Sequence, residues 1–152
     1  MRIVESPNAL KDLVGEELGV SDWTEVSQAR IDKFAEAAGD FQWIHIDSEK
    51  AAQELPTGKT IAHGFLTLSL VAGLPTFEVR NVKNAINYGC NKVRFTNMVP
   101  SGSKVRLRQT LKSVEDMPNA GVRAISESVV EIEGADRPAM VAETVVIYYG
   151  ET

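Results

Sequence analysis

In the stretch SQARIDKFAEAAGD, apolar residues recur at i, i+3, i+4 and i+7, with Ile31, Phe34, Ala35 and Ala38 forming one stripe. That spacing predicts an amphipathic helix with Ser27 as its N-cap and Gly39 as its stop. DSEKAAQEL predicts a second, short helix capped by Asp47. IAHGFLTLSLVAGLP reads differently. Phe65, Leu66, Leu68, Leu70, Val71 and Leu74 point in most directions around a helix axis, with Thr67 and Ser69 between them, so this helix is expected to be buried on nearly all sides. Gly73 and Pro75 end it, and at about ten residues it is a core helix and too short to span a bilayer.

The second half of the chain changes period. AINYGCNKVRFTN, SKVRLRQTLKSV, GVRAISESVVEIE and AMVAETVVIYYG are β-rich and partly alternating, and the turn signals VPSG, DMPNAG and GADRP separate them. GVSDWTEVS near the start is a candidate for a further strand. One buried helix followed by an antiparallel sheet of about five strands is an α+β arrangement, with the sheet curled around the helix. The length, 152 residues, suits one domain spanning the whole chain. Alternation places Lys104, Arg106 and Arg108 on one face and Val105 and Leu107 on the other; Lys92 and Arg94 likewise oppose Val93 and Phe95. The plain reading is a solvated outer face, and the alternative is a docking site for a phosphorylated ligand.

Charge narrows the choice of partner. With 16 basic and 21 acidic side chains the formal charge is −5, which argues against nucleic acid. A single cysteine, Cys90, excludes an internal disulfide or a cysteine-rich metal site, and its place in a strand pattern without a base reads as inert packing. The opening MRIVESPNALKD lacks the apolar core of a secretory signal, and no apolar run is long enough for a membrane span, so a cytoplasmic protein without a membrane partner is expected.

The candidate chemistry lies between the first helix and the buried one, in GDFQWIHID. Asp40 and His45 are five positions apart. On a helix that offset turns the side chains about 140° past a full circle, and on a strand it puts them on opposite faces, so a loop is expected to bring them together. A carboxylate beside an imidazole fixes its tautomer, raises its basicity and can hold a water. Taken alone, the pair reads first as a turn-capping Asp40 and a hydrogen-bonded core His45. Asp47 is explained by capping. Downstream, AHG at 62–64 opens the buried helix, whose first amides have no intrahelical acceptor, and Gly64 has no side chain to obstruct a ligand there. That is one way to build an oxyanion hole, and close packing is the alternative reason for a glycine. His63 reads as structural support.

Together, AGDFQWIHID and TGKTIAHGFLTLSL resemble the MaoC-type dehydratase family, which includes the (R)-specific enoyl-CoA hydratases. NYGCNKVRF followed by VPSGSKVRL resembles its single-domain branch related to nodulation protein N. The resemblance covers roughly residues 10–150 and implies a hot-dog fold, a long helix wrapped by an antiparallel sheet. It further implies reversible hydration of a trans-2-enoyl-CoA to a (3R)-3-hydroxyacyl-CoA, with Asp40 and His45 activating water and the Gly64 amide binding the thioester oxygen. No cofactor or metal is implied, coenzyme A arrives with the small-molecule substrate, and a homodimer is expected. The family pattern has Gly-Asp-x-Asn-Pro-hydrophobic-His; here Gln42 and Trp43 replace Asn and Pro, and with His63 they are the candidate substrate-binding residues. A serine that assists the site in some members corresponds to Ala72, so that role is not carried over. Two other readings are a hot-dog acyl-CoA thioesterase and a non-catalytic acyl-CoA-binding module, since fold alone does not set function.

Overall fold

A computed structural model describes residues 1–151. The chain opens with β1 (Arg2–Val4), a 3-10 turn over Pro7–Leu13, β2 (Glu17–Val20) and β3 (Thr24–Val26). Four helices follow: α1 (Gln28–Ala38), α2 (Trp43–Ile46), α3 (Ser48–Glu54) and α4 (Gly64–Gly73). The remainder is strand: β4 (Phe77–Val79), β5 (Val82–Arg94), β6 (Ser103–Met117), β7 (Gly121–Ile132) and β8 (Met140–Gly150).

The main sheet is antiparallel, in the order β2-β6-β7-β8-β5, with β3 also on β6. It therefore has six strands rather than about five, because GVSDWTEVS and the residues before it supply both β2 and β3 against the one long β6. A two-stranded parallel ribbon of β1 and β4 is additional; three-residue strands carry too little alternation to be read from a sequence.

Helix α4 lies on the sheet as expected. Leu66, Leu70 and Leu74 pack against Val105 and Leu107 of β6, Val130 and Ile132 of β7, and Met140 and Ala142 of β8. Burying each such leucine contributes about 2 kcal/mol. The strand alternation holds here: Val105 and Leu107 are fully buried, while Arg106 and Arg108 face outward and share Glu131 at 2.6 and 2.7 Å. These two arginines are thus engaged on the sheet's own outer face, in line with a solvated surface. A second cluster of Val4, Leu10, Leu18, Leu111 and Val122 closes the other end of the sheet.

Two burial expectations need correction. Helix α4 is not covered on all sides: Phe65 is 70 % exposed, whereas polar Thr67 is buried, because the sheet meets only one side of the helix within this chain. Strand β5 is exposed along most of its length and, among the described residues, pairs only with β8, so Cys90 is exposed there rather than packed.

Candidate active site

Helix α1 begins as expected, with Ser27 Oγ accepting from Arg30 N at 3.2 Å. It ends at Gly39, whose left-handed φ of 74° a glycine adopts without strain. The Gly39 and Asp40 amides both donate to Ala35 O, at 2.8 and 3.1 Å, and turn the chain back. Asp40 is exposed, and its Oδ1 accepts from Gln42 N at 3.3 Å, so the turn-capping role is real. The segment after it is not a plain loop. Residues Trp43–Ile46 form the single turn α2, closed by Asp47 N donating to Trp43 O at 2.9 Å. One turn is too short to produce a periodic signal, and tertiary bonds hold it.

Those bonds converge on His45, which is 6 % exposed. Its Nδ1 lies 2.7 Å from Ile61 O. A carbonyl only accepts, so Nδ1 carries the proton and Nε2 holds the lone pair. Burial holds the pKa of His45 below its ordinary 6.5; the neighbouring His63 adds to this, while the Ile61 carbonyl and Asp40 work against it. The neutral imidazole is therefore favoured near neutral pH. The backbone of the turn is fastened twice more: Ile61 N donates to Ile44 O at 3.0 Å, and Gln28 Nε2 donates to His45 O at 2.8 Å. Gln28 also accepts from the buried Thr60 hydroxyl. No pattern in the sequence marks Gln28, because its partners lie 17 and 32 residues away.

Residues 60–63 run between α2 and the segment before β6, with Ala62 N on Val99 O and Ser101 N on Thr60 O, each at 2.8 Å. This delivers Gly64 to the start of α4, where the N-cap position is His63 and no side chain caps the first amides. Gly64 has a steric reason as well. A Cβ built there would lie 2.8 Å from the ring of Phe95. A cleft of about 860 Å³ opens beside these residues; Ile44, His45, Gly64, Thr67, Phe95 and Arg137 are among those lining it. Phe95 and Arg137 were not candidates from the sequence, since only tertiary contact brings their loops to α4.

One ligand-type atom from each of Asp40, His45 and His63 lies within 4.8 Å of the others. The site thus brings the Asp40 carboxylate and the His45 ring together, within 4.8 Å. The same three residues form a poor metal site. The two imidazoles stack at 3.8 Å with 22° between their planes, so their lone pairs lie in two nearly parallel, offset planes, and one ion about 2 Å from each nitrogen would sit outside the plane of at least one ring. Of the three candidate substrate-binding residues, none lines the cleft. Gln42 is exposed at the N-cap of α2, and Trp43 is half-buried with Lys50 Nζ 4.4 Å above its ring. His63 is 2 % exposed, sealed between Phe34 and His45, and offers no surface to a ligand.

Comparison with known proteins places the chain in a family. A MaoC like domain matches residues 10–133, and the chain belongs to that MaoC-like dehydratase family. It is 49 % identical, over 150 residues, to 3-hydroxyacyl-thioester dehydratase Z of Mycobacterium tuberculosis, covering 97 % of this chain and 99 % of that one. It is 43 % identical to nodulation protein N of Rhizobium leguminosarum bv. viciae, over 88 % of this chain and 85 % of the relative. The R-hydratase PhaJ1 of Pseudomonas aeruginosa superposes with a TM-score of 0.69 at 22 % identity, over 91 % of this chain and 83 % of that one. The architecture is the hot-dog fold that the family resemblance implied.

Proposed function

We propose that this protein is an (R)-specific enoyl-CoA hydratase, adding water reversibly to a trans-2-enoyl-CoA to give the (3R)-3-hydroxyacyl-CoA. The observation that carries the reading is the protonation pattern of His45. Its Nδ1–H is committed to Ile61 O, which leaves the Nε2 lone pair free, in a ring that has a nitrogen within 4.8 Å of an Asp40 carboxylate oxygen and shares a cleft with Gly64 at the uncapped start of α4.

In this reading Asp40 and His45 hold one water between them. As the water oxygen bonds to Cβ, His45 Nε2 takes a proton, and electron density moves through Cα to the thioester oxygen. The Gly64 amide, at the positive end of α4, binds that oxygen as it gains charge. The proton then passes from the dyad to Cα, so the elements of water are added across the double bond and the enzyme is restored. Acid–base catalysis of this kind is worth about 10²- to 10⁴-fold, and an oxyanion donor about 3 kcal/mol. The chemistry as written calls for no cofactor. Gln42 and Trp43 flank Asp40 in sequence but lie outside the cleft, so no substrate contact is assigned to them.

The working unit is a homodimer in the cytoplasm. Exposed Phe65 on α4, with Ile86 and Tyr88 on the open edge strand β5, supplies an apolar surface that a second copy would cover. The membership of a dehydratase family and the 49 % identity to a 3-hydroxyacyl-thioester dehydratase support hydration over thioester hydrolysis.

The test follows crotonyl-CoA by the conjugated enoyl absorbance and by free thiol in parallel. Hydration removes the conjugation and leaves the thioester intact, with a (3R) product. Thiol release as the main event would replace the reaction type by thioester hydrolysis. Saturable binding with neither change would make the protein an acyl-CoA-binding module.

A further inference from the structure

The chain has two histidines, and they stack on each other in the interior, with ring centroids 3.8 Å apart. His63 is 2 % exposed, and Phe34 packs against its ring at 4.9 Å. Its Nε2 lies 3.0 Å from the main-chain oxygen of Asp40, and its Nδ1 is buried with no hydrogen-bond partner among the described residues. A phenylalanine or leucine would fill the same space without burying an unpartnered nitrogen, so packing alone leaves the choice of imidazole unexplained. What an imidazole adds is the Nε2–H bond to Asp40. That bond crosses from the start of α4 to the end of α1, over 23 positions of sequence.

We infer that His63 is a positioning residue: a neutral, Nε2–H imidazole that holds the Asp40 segment through its backbone and the His45 ring through its face. The inference rests on the hydratase reading, since it assigns His63 to the same dyad. The Asp40 oxygen can only accept, so Nε2 of His63 must carry a proton. A second proton, on Nδ1, would bury a charge with nothing to receive its hydrogen bond. The stacked rings are thus neutral in opposite tautomers, His45 as Nδ1–H and His63 as Nε2–H, each set by a different main-chain carbonyl. His63 also precedes Gly64 directly. One side chain therefore ties together the carboxylate segment, the base and the oxyanion amide, without touching substrate.

Two measurements decide this. The first uses the full chain labelled with 15N-histidine, which shows two imidazoles only. Both rings are expected to be neutral at pH 7, with one Nδ1–H and one Nε2–H pattern, and the Nε2–H ring should disappear in His63→Gln. An Nδ1–H or charged His63 would overturn the assignment, whether or not the protein hydrates enoyl-CoA. The second measurement is kinetic. His63→Phe keeps an aromatic face on His45 and removes the donor; kcat should fall by about tenfold to a hundredfold with KM nearly unchanged. His63→Gln, which offers a side-chain N–H toward Asp40 O, should recover most of that loss. In an Asp40→Asn background His63→Phe should cost less than about twofold, because its effect passes through Asp40. Wild-type kcat in His63→Phe, or the same factor lost in both backgrounds, would leave His63 as packing only. Absence of hydration in the unmodified protein would remove the proposed function while the tautomer result still stood.

Discussion

The ring of Phe95 occupies the position into which a side chain at Gly64 would project, with the nearest ring carbon 2.8 Å from a Cβ built there. Phe95 is 44 % exposed and meets Phe65 edge-on at 6.0 Å, so it can swing away where a main-chain atom could not. Gly64→Ala should therefore fold with a displaced Phe95, and Gly64→Val should lose most activity. Adding Phe95→Ala separates the two reasons for a glycine. If the clash is the fault, Gly64→Ala/Phe95→Ala regains activity; if the methyl blocks the α4 amides, it does not. We expect no recovery. Thermal denaturation beside the rate assay distinguishes lost catalysis from lost fold.

Removal of either dyad member should cut turnover while leaving the fold intact. Asp40 is exposed and its side chain bonds only to a nearby amide, so Asp40→Asn should cost little stability. Both Asp40→Asn and His45→Gln should lower kcat by about 10²- to 10⁴-fold. In the proposed mechanism both act on one water, so the double variant should be scarcely slower than the slower single one. Near-normal turnover in either single variant would remove that residue from the mechanism.

The buried His45 gives stability a pH dependence of definite sign. Above pH 6.5 the ring is neutral in both the folded and the unfolded chain. Below it, the unfolded chain takes up a proton that the folded ring, with its lowered pKa, resists, so stability falls as the pH drops from 6.5 toward the folded value. Urea melts between pH 7.5 and 5.5 should show this decline, and His45→Gln should flatten it. Activity should follow the same ring, persisting below pH 6.5 until His45 itself is protonated.

Glu131 on the outer face should matter for stability and not for turnover. It accepts from Arg106 Nε at 2.6 Å and Arg108 Nε at 2.7 Å while about a quarter of its side chain remains exposed. Glu131→Gln should destabilise by about 1 kcal/mol, as expected for a partly exposed charge network, with unchanged kcat and KM. A large rise in KM would revive the reading of the arginine face as a docking site for a phosphorylated ligand.

Sedimentation should find a dimer at micromolar concentration. Tyr88, 63 % exposed on the unpaired edge of β5, is the residue to charge: Tyr88→Lys should shift the protein toward monomer. A dilute monomer with full activity would contradict the dimeric unit.

Local physics made much of this molecule legible from the residues alone. Ser27 and Gly39 bracket α1 because capping needs only the few amides beside it, and Asp47 caps α3 for the same reason, accepting from Lys50 N at 3.0 Å. Period-two alternation sorted Val105 and Leu107 from Arg106 and Arg108 because side chains on a strand have no other choice of face. The pairing of Asp40, His45 and Gly64 could be nominated because their residue types and spacing match a family motif. What only the tertiary structure decided depends on contacts between distant segments. The turn α2 exists because Gln28 and Ile61 hold it, not because four residues favour a helix. The exposure of Phe65 and of Cys90 follows from which side of α4 and which edge of the sheet the rest of the chain reaches. The tautomer of His45 is set by a carbonyl 16 residues away, and its stacking on His63 by the meeting of two chain segments. Spacing along a chain specifies neighbours within a turn or a strand, whereas an imidazole's proton is placed by whichever atom folding brings against it.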